Sequence, residues 1–198
     1  MKKDDVEAAV RALRNGELII YPTDTRYALG ADIYNESAVR KVFEIKQRPL
    51  SLPLPVAVDS IKKIETLAYT DETVIQVSEN FLPGELTMVL KKKPSVPDLV
   101  TSGSDTIAVR IPNNSIALTL LAQCGPLTIT SANIYHMETQ GIIKEILLQL
   151  GTPIKFCLDD GRKKATPSTI VDLTGKKLKI LRKGSITEKE ILDVISHG

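Results

Sequence analysis

Between Pro22 and Ala28, five consecutive residues (Thr23-Asp24-Thr25-Arg26-Tyr27) supply two hydroxyls, a carboxylate, a guanidinium and a phenol. So dense a set of donors and acceptors follows the apolar run Leu18-Ile19-Ile20-Tyr21, and it suits a ligand-binding loop at the end of an interior strand. Compact polar groups recur at other expected strand ends: Arg110, Ser131-x-Asn133, Ser168-Thr169 and Arg182. Lys46 and Arg48 stand at or just past the end of a helix that Pro49 terminates. Side chains at the strand ends of one sheet can converge on a shared crevice although they are far apart in the chain. Four cations (Lys46, Arg48, Arg110, Arg182) with hydroxyls and an amide, and few carboxylates, suit a polyanion. A nucleoside triphosphate fits best, because spread cations stabilise the charge that develops during attack at phosphorus. Plainer readings exist for each group. Cations at a helix C-terminus gain about 0.3–1 kcal/mol from the dipole, a Ser-x-Asn triplet is a common turn after a strand, and Arg110 suits an edge strand.

The elements that must position these groups follow from periodicity. Asp4 or Asp5 can cap a first helix with the apolar face Val6, Ala9, Val10 and Leu13, closed by Asn15-Gly16. Glu17 to Tyr21 reads as a strand that Pro22 stops. The polar loop then runs to Gly30, and Asn35 caps a helix carrying Val39, Val42 and Phe43. Strands are expected at 54–58, 86–90, 106–111, 127–130, 154–158, 169–173 and 178–181. Helices are expected around Ile61–Leu67, after Asp71, after Asn113 or Asn114, over 142–150 and after Ser185 or Thr187. In 106–111, Ile107 and Val109 share one face while Ala108 and Arg110 share the other. About seven strands interleaved with helices argue an α/β fold around one twisted sheet. The helixless stretch from Phe156 to Leu181 makes that sheet mixed. No linker divides the chain, so residues 1–198 are expected to form a single domain.

Composition excludes several classes. The 198 residues are 42% hydrophobic and 25% charged with a formal net charge of +2, so no global basic field demands nucleic acid. Lys91-Lys92-Lys93 and Arg162-Lys163-Lys164 are the local basic clusters, and such runs are commonly solvated loop charge. Cys124 and Cys157 are too few for a disulfide framework and, with His136 and His197, have no metal-ligand spacing. They read as reduced, buried structural thiols. No apolar stretch approaches membrane length and no signal-peptide core follows the N-terminus, so a cytoplasmic protein is expected. The P-loop, dinucleotide-binding, nucleophile-elbow and HExxH motifs are all missing from the sequence.

Taken together, several segments resemble the YrdC-like family, the L-threonylcarbamoyladenylate synthases of the tRNA threonylcarbamoyladenosine (t6A) pathway. They are Tyr21-Pro22-Thr23-Asp24-Thr25, Tyr27-x-Leu29-Gly30, Lys46-x-Arg48-Pro49, Pro83-Gly84-x-Leu86-Thr87 and Ala108-Val109-Arg110-Ile111-Pro112. Thr130-Ser131-Ala132-Asn133, Ser168-Thr169-Ile170-Val171-Asp172 and Ile180-Leu181-Arg182-x-Gly184 complete the set. The resemblance covers nearly the whole chain, in its single-domain form. It implies a twisted, mostly parallel sheet, a large basic concave cavity, and a reaction in which threonine, bicarbonate and ATP give threonylcarbamoyl-AMP and pyrophosphate. It further implies that Lys46 and Arg48 act in catalysis and, with Ser131 and Asn133, hold the phosphates, with Mg²⁺ accompanying the ATP. Ser168 and Arg182 would place the nucleotide, and Thr23, Thr25 and Arg110 the amino acid. Asp24 would brace its loop by capping backbone N–H groups. Downstream t6A-transferase proteins would take the product. An alternative is a YciO-type relative that binds nucleotide, tRNA or double-stranded RNA with little or no synthase activity. Departures from the family pattern are Arg26, Ala28, Leu52, Tyr135-His136 and Pro167.

Overall fold

Strand β1 (Ile19–Pro22) is buried along its whole length, which is why it reads as an unbroken apolar run. Ile20 enters one core with Leu29, Ile33, Val39 and Val42. Ile19 and Tyr21 point the other way, into a second core with Val10, Leu13 and Leu120. The polypeptide, a computed structural model describing residues 3–163, 166–175 and 177–196, is thus layered around this strand. Lys164 and His197 of the sequence analysis, and the Asp4 side chain, lie outside the described residues.

The remaining elements follow in chain order. Helix α1 (Lys3–Arg14) precedes β1; β2 (Tyr27–Gly30), α2 (Glu36–Lys46), β3 (Val56–Ala57), α3 (Ile61–Leu67) and α4 (Glu72–Phe81) come next. Then come β4 (Leu86–Lys91), α5 (Asp98–Thr101), β5 (Thr106–Arg110), α6 (Ser115–Cys124), β6 (Leu127–Thr128) and β7 (Thr130–Ser131). The chain continues through α7 (Ile143–Leu150), β8 (Phe156–Cys157), β9 (Thr169–Asp172), β10 (Lys179–Arg182) and α8 (Glu188–Ser196). Helix starts follow the caps read from sequence: Asn35 Oδ1 accepts Ala38 N–H, Asp71 accepts Val74 N–H, and Asn114 accepts Ile116 and Ala117 N–H. Asp5 lies inside α1 rather than ahead of it. Among the described residues no helix is long and apolar enough to cross a membrane.

The α/β class and mixed pairing are as expected; the arrangement of strands differs. There are two sheets, in the orders β7-β2-β1-β8 and β10-β9-β4-β5-β3-β6. Antiparallel ladders (β1/β2, β9/β10, β2/β7, β3/β6, β4/β5) outnumber parallel ones (β1/β8, β3/β5, β4/β9), so the pairing is not mostly parallel. Two physical causes account for the difference. The segment read as loop up to Gly30 contains β2, which is buried on both faces and so lacks an alternating pattern. A tight reversal also joins β1 to β2, and a hairpin makes neighbours antiparallel without a crossover helix. The chain passes between the sheets at Ile129, whose N–H donates to Pro55 O at 2.9 Å.

In the six-stranded sheet the period of two separates core from cavity. Leu86, Met88, Leu90, Ile107, Val109 and Val171 are buried in the core, whereas Thr87, Val89, Ala108, Arg110 and Ile170 line a hollow. Gly184, just after β10, packs against the backbone of the segment that carries Ser168. A Cβ there would collide with backbone atoms of Pro167, Ser168 and Thr169, which cannot swing aside as a side chain could. Gly184→Ala is therefore expected to cost about 1–3 kcal/mol, the usual range for forced overpacking. Urea unfolding checks this; a change below about 0.5 kcal/mol would show that the loop yields freely.

Candidate functional site

The hollow has a volume of about 330 Å³ and takes its wall from both sheets. That is the lower end of the size range of small-molecule sites. Four guanidiniums, Arg26, Arg48, Arg110 and Arg182, stand in its lining, together with Thr23, Thr25, Thr87, Thr130, Ser131 and Ser168. An apolar strip of Pro53, Pro55, Val89, Ala108, Ile129, Ile170 and Leu181 lies beside them, with Tyr27, Ala28 and Pro167 also in the wall.

The hairpin turn between β1 and β2 is built by Thr23. Its Oγ1 accepts the N–H groups of Thr25 and Arg26 at 3.1 and 3.0 Å and donates to Arg26 O at 2.6 Å. Capping of this turn is thus the work of Thr23, and the expectation for Asp24 is corrected. Asp24 Oδ1 instead accepts from Arg110 Nη2 at 2.7 Å, in a pair whose side chains are 6% (Arg110) and 13% (Asp24) exposed. The reason is electrostatic: a carboxylate this deep needs a cation more than a neutral N–H. Asp24 Oδ2 is buried and makes no hydrogen bond. Arg110 also donates to Thr25 Oγ1 at 3.0 Å and to Gly84 O at 2.9 Å, which fixes the guanidinium plane.

Across the cavity, Arg182 donates to both Ser168 O (3.0 Å) and Ser168 Oγ (2.9 Å), and Ser168 Oγ lies 2.9 Å from Thr87 Oγ1. Arg48 donates to the carbonyls of Leu52 and Pro53 at 3.2 and 2.9 Å while its guanidinium carbon sits 5.2 Å from the Tyr135 ring centre. Partial burial lowers Arg26 from the ordinary arginine value, and the Arg110 charge lowers it further. Arg182 is lowered by partial burial first and then by the Arg26 and Arg110 charges. These guanidiniums repel one another, and Asp24 pairs with Arg110 among them. An anion entering the cavity relieves that repulsion.

Lys46 is placed differently from the arginines. It ends α2, is 2% exposed, and is not part of the lining. Its ammonium donates to Ser131 O (2.6 Å), Asn133 O (2.7 Å) and Asn133 Oδ1 (3.2 Å), and Ser131 Oγ donates to Asn133 Oδ1 at 2.6 Å. All three N–H bonds of the ammonium are therefore directed at the Ser131–Asn133 turn. Burial, with a smaller push from the Arg48 charge, lowers the Lys46 pKa from 10.5 to about 7.

Seven of the residues singled out from the sequence meet in the cavity wall: Thr23, Thr25, Arg48, Arg110, Ser131, Ser168 and Arg182. Lys46 and Asn133 stand one layer behind Ser131. Leu52 is not in the lining, and its carbonyl serves Arg48 instead. Thr87 also stands in the wall and was not singled out from the sequence as a site residue. Thr87 was within reach of the alternation argument, because it shares a face of β4 with Val89, opposite the buried Leu86 and Met88. Arg26 is offered by the sequence as part of the polar loop between Pro22 and Ala28, and hairpin geometry rather than periodicity aims it into the wall. Cys124 and Cys157 are free and only half-buried, and burial pushes each thiol up to about 11.

Several residues of the basic clusters are tied to the protein itself. Lys92 donates to Val96 O and pairs with Asp98 at 2.6 Å, while Lys93 donates to Glu65 O at 2.5 Å and faces the Tyr69 ring. Arg162 approaches Glu145 at 3.9 Å and Lys163 pairs with Asp160. Among the described residues no group of three or more His, Cys, Asp and Glu side chains is placed to hold a metal ion.

This geometry has relatives. A family model for the Sua5/YciO/YrdC domain, described as telomere recombination, matches residues 11–184. A putative threonylcarbamoyl-AMP synthase of Methanocaldococcus jannaschii is 38% identical over 186 residues, covering 93% of this chain and 88% of that protein. Among solved structures, Pyrococcus abyssi Sua5 complexed with L-threonine superposes with a TM-score of 0.92 at 35% identity. That match covers 98% of this chain but 58% of the longer Pyrococcus chain. Escherichia coli YciO superposes with a TM-score of 0.89 at 28% identity, covering 96% of this chain and 94% of that one. With the family model spanning most of its length and the cavity-lining segments all inside the match, this chain belongs to the Sua5/YciO/YrdC family.

Proposed function

We propose that this protein is an L-threonylcarbamoyladenylate synthase, making threonylcarbamoyl-AMP and pyrophosphate from L-threonine, bicarbonate and ATP for tRNA t6A formation. The observation that carries the reading is the cavity lined by four arginines and, among the described residues, by no Asp or Glu, a container for more negative charge than one small acid brings. The names of the Methanocaldococcus relative and the threonine-bound Pyrococcus structure supply the amino acid and the product.

In the proposed reaction, a carbamate oxygen of N-carboxy-threonine attacks the α-phosphorus of ATP. The bond to the β-phosphate oxygen breaks, and pyrophosphate leaves with the electron pair. The protein's share is to position the reactants and neutralise charge. Arg48 and the Ser131 hydroxyl would take phosphate oxygens, with Lys46 acting from behind by holding the Ser131–Asn133 turn in shape. Arg182, aimed by Ser168, would place the nucleotide against the apolar strip. Arg110, Thr23 and Thr25 would receive the amino acid. Among the described residues the lining offers Mg²⁺ no carboxylate, and Asp24 is already paired with Arg110, so the ion would be carried in on the phosphates with its waters. Its chemistry, when bound, is to neutralise phosphate charge.

The purified protein should release pyrophosphate from ATP only when threonine and bicarbonate are both supplied. Release that ignores threonine, or no release at all under those conditions, would count against the reading.

A further inference from the structure

We propose that Arg26 holds the new carboxylate of the carbamate, so that the cavity selects the dianionic N-carboxy amino acid over the zwitterion. The inference rests on the synthase reading above and adds a residue and a selectivity to it. Arg26 lines the same cavity as Arg110 and Arg182, and its Nη1 is braced 3.0 Å from Oγ1 of the buried Thr139. Arg110 belongs to the hairpin side through Thr25 and Asp24, and Arg182 belongs to the β9 side through Ser168. Arg26 is the chain neighbour of Thr25, whose Oγ1 accepts from Arg110, and all of them line the same cavity of about 330 Å³ that Arg182 also lines. Arg26 is therefore in electrostatic range of the groups proposed for the amino acid and of those proposed for the nucleotide. The carbamate must lie at that junction, since it is attached to the one and attacks the other.

Charge decides which form of the amino acid the junction favours. Among the described residues the cavity lining holds these three guanidiniums and no Asp or Glu, and the Asp24 carboxylate beside it is already paired with Arg110, so the lining carries a cationic excess. Threonine enters as a zwitterion of zero net charge whose ammonium these arginines repel. Carboxylation follows R–NH₃⁺ + HCO₃⁻ → R–NH–COO⁻ + H₂O + H⁺. A nitrogen–carbon bond forms, a carbon–oxygen bond of bicarbonate is lost as water, and one proton goes to solvent. The product carries two negative charges, which that excess attracts. Repulsion of the ammonium becomes attraction of a carboxylate, at a site where charge-assisted hydrogen bonds are strong.

Calorimetric titration of threonine without ATP, in carbonate-free buffer and again with bicarbonate, tests this apart from turnover. In the parent, bicarbonate is expected to tighten threonine binding about tenfold or more, as one charge-assisted contact allows. In Arg26→Met, which keeps the apolar stem and removes the charge, that ratio should fall below about twofold. Thr139→Val, which removes only the brace, should reduce the ratio by a smaller factor and guards against a misfolded Met variant. An unchanged ratio in both variants, with threonine still bound and pyrophosphate still released in a bicarbonate-dependent way, overturns the role of Arg26 and leaves the synthase reading standing. Threonine that does not bind under any condition overturns both.

Discussion

Arg110→Ala is expected to lose about 3–5 kcal/mol of unfolding free energy, the range for removing one partner of a buried ion pair. The variant would strand Asp24, whose second oxygen already makes no hydrogen bond, and would free the carbonyl of Gly84 and the hydroxyl of Thr25. Exposed pairs are worth only about 0–1 kcal/mol, but this one is nearly closed to solvent and the guanidinium has three separate acceptors. Asp24→Ala in the same chain should restore part of the loss, because the uncompensated carboxylate goes with it. Urea denaturation of the parent, both single variants and the double variant completes the cycle. A cost for Arg110→Ala below about 1 kcal/mol would mean that the pair behaves as an exposed one. Threonine binding should vanish in every variant lacking Arg110, whatever the recovery in stability.

Lys46→Met is expected to weaken ATP binding about thirtyfold, equivalent to about 2 kcal/mol, the order of one hydrogen bond to a charged group. The loss acts through Ser131 and Asn133, because the ammonium itself reaches no further than that turn. A neutral amine has only two N–H bonds for three acceptors, so deprotonation should loosen the turn as well. With the Lys46 pKa at about 7, ATP affinity of the parent should fall as pH rises through neutrality, and that slope should disappear in Lys46→Met. Stability runs in the opposite direction. The folded pKa of about 7 lies below the ordinary 10.5, so between those values the unfolded chain binds a proton that the folded chain does not. Unfolding free energy from this group therefore rises with pH across that window and levels off above it. Opposite pH trends in ATP affinity and in unfolding, both absent from the Met variant, are the signature. A parent whose ATP affinity is flat from pH 6 to 8 would remove Lys46 from the phosphate site.

Helix caps at Asn35, Asp71 and Asn114, and the alternation of Ile107 and Val109 against Ala108 and Arg110, were legible because each is a local rule. A short side chain reaches its own backbone, and a strand turns alternate residues to opposite faces. The candidate site was legible as a set of residue types at strand ends and one helix end, and seven of those residues do line one cavity. Strand β2 was not legible, because four residues buried on both faces carry no period to detect. Nor was the partner of Asp24, which lies 86 residues away in the chain.

Left to itself, the order of residues determined which segments could be helix or strand and that a surplus of cations over carboxylates would accumulate where strands end. Tertiary structure alone decided that Lys46 stands behind the wall and that Asp24 neutralises Arg110 rather than capping a turn. The division has a physical basis. Capping and periodicity act within a few residues, whereas burial and charge pairing depend on which distant segments the fold brings within about 4 Å of one another.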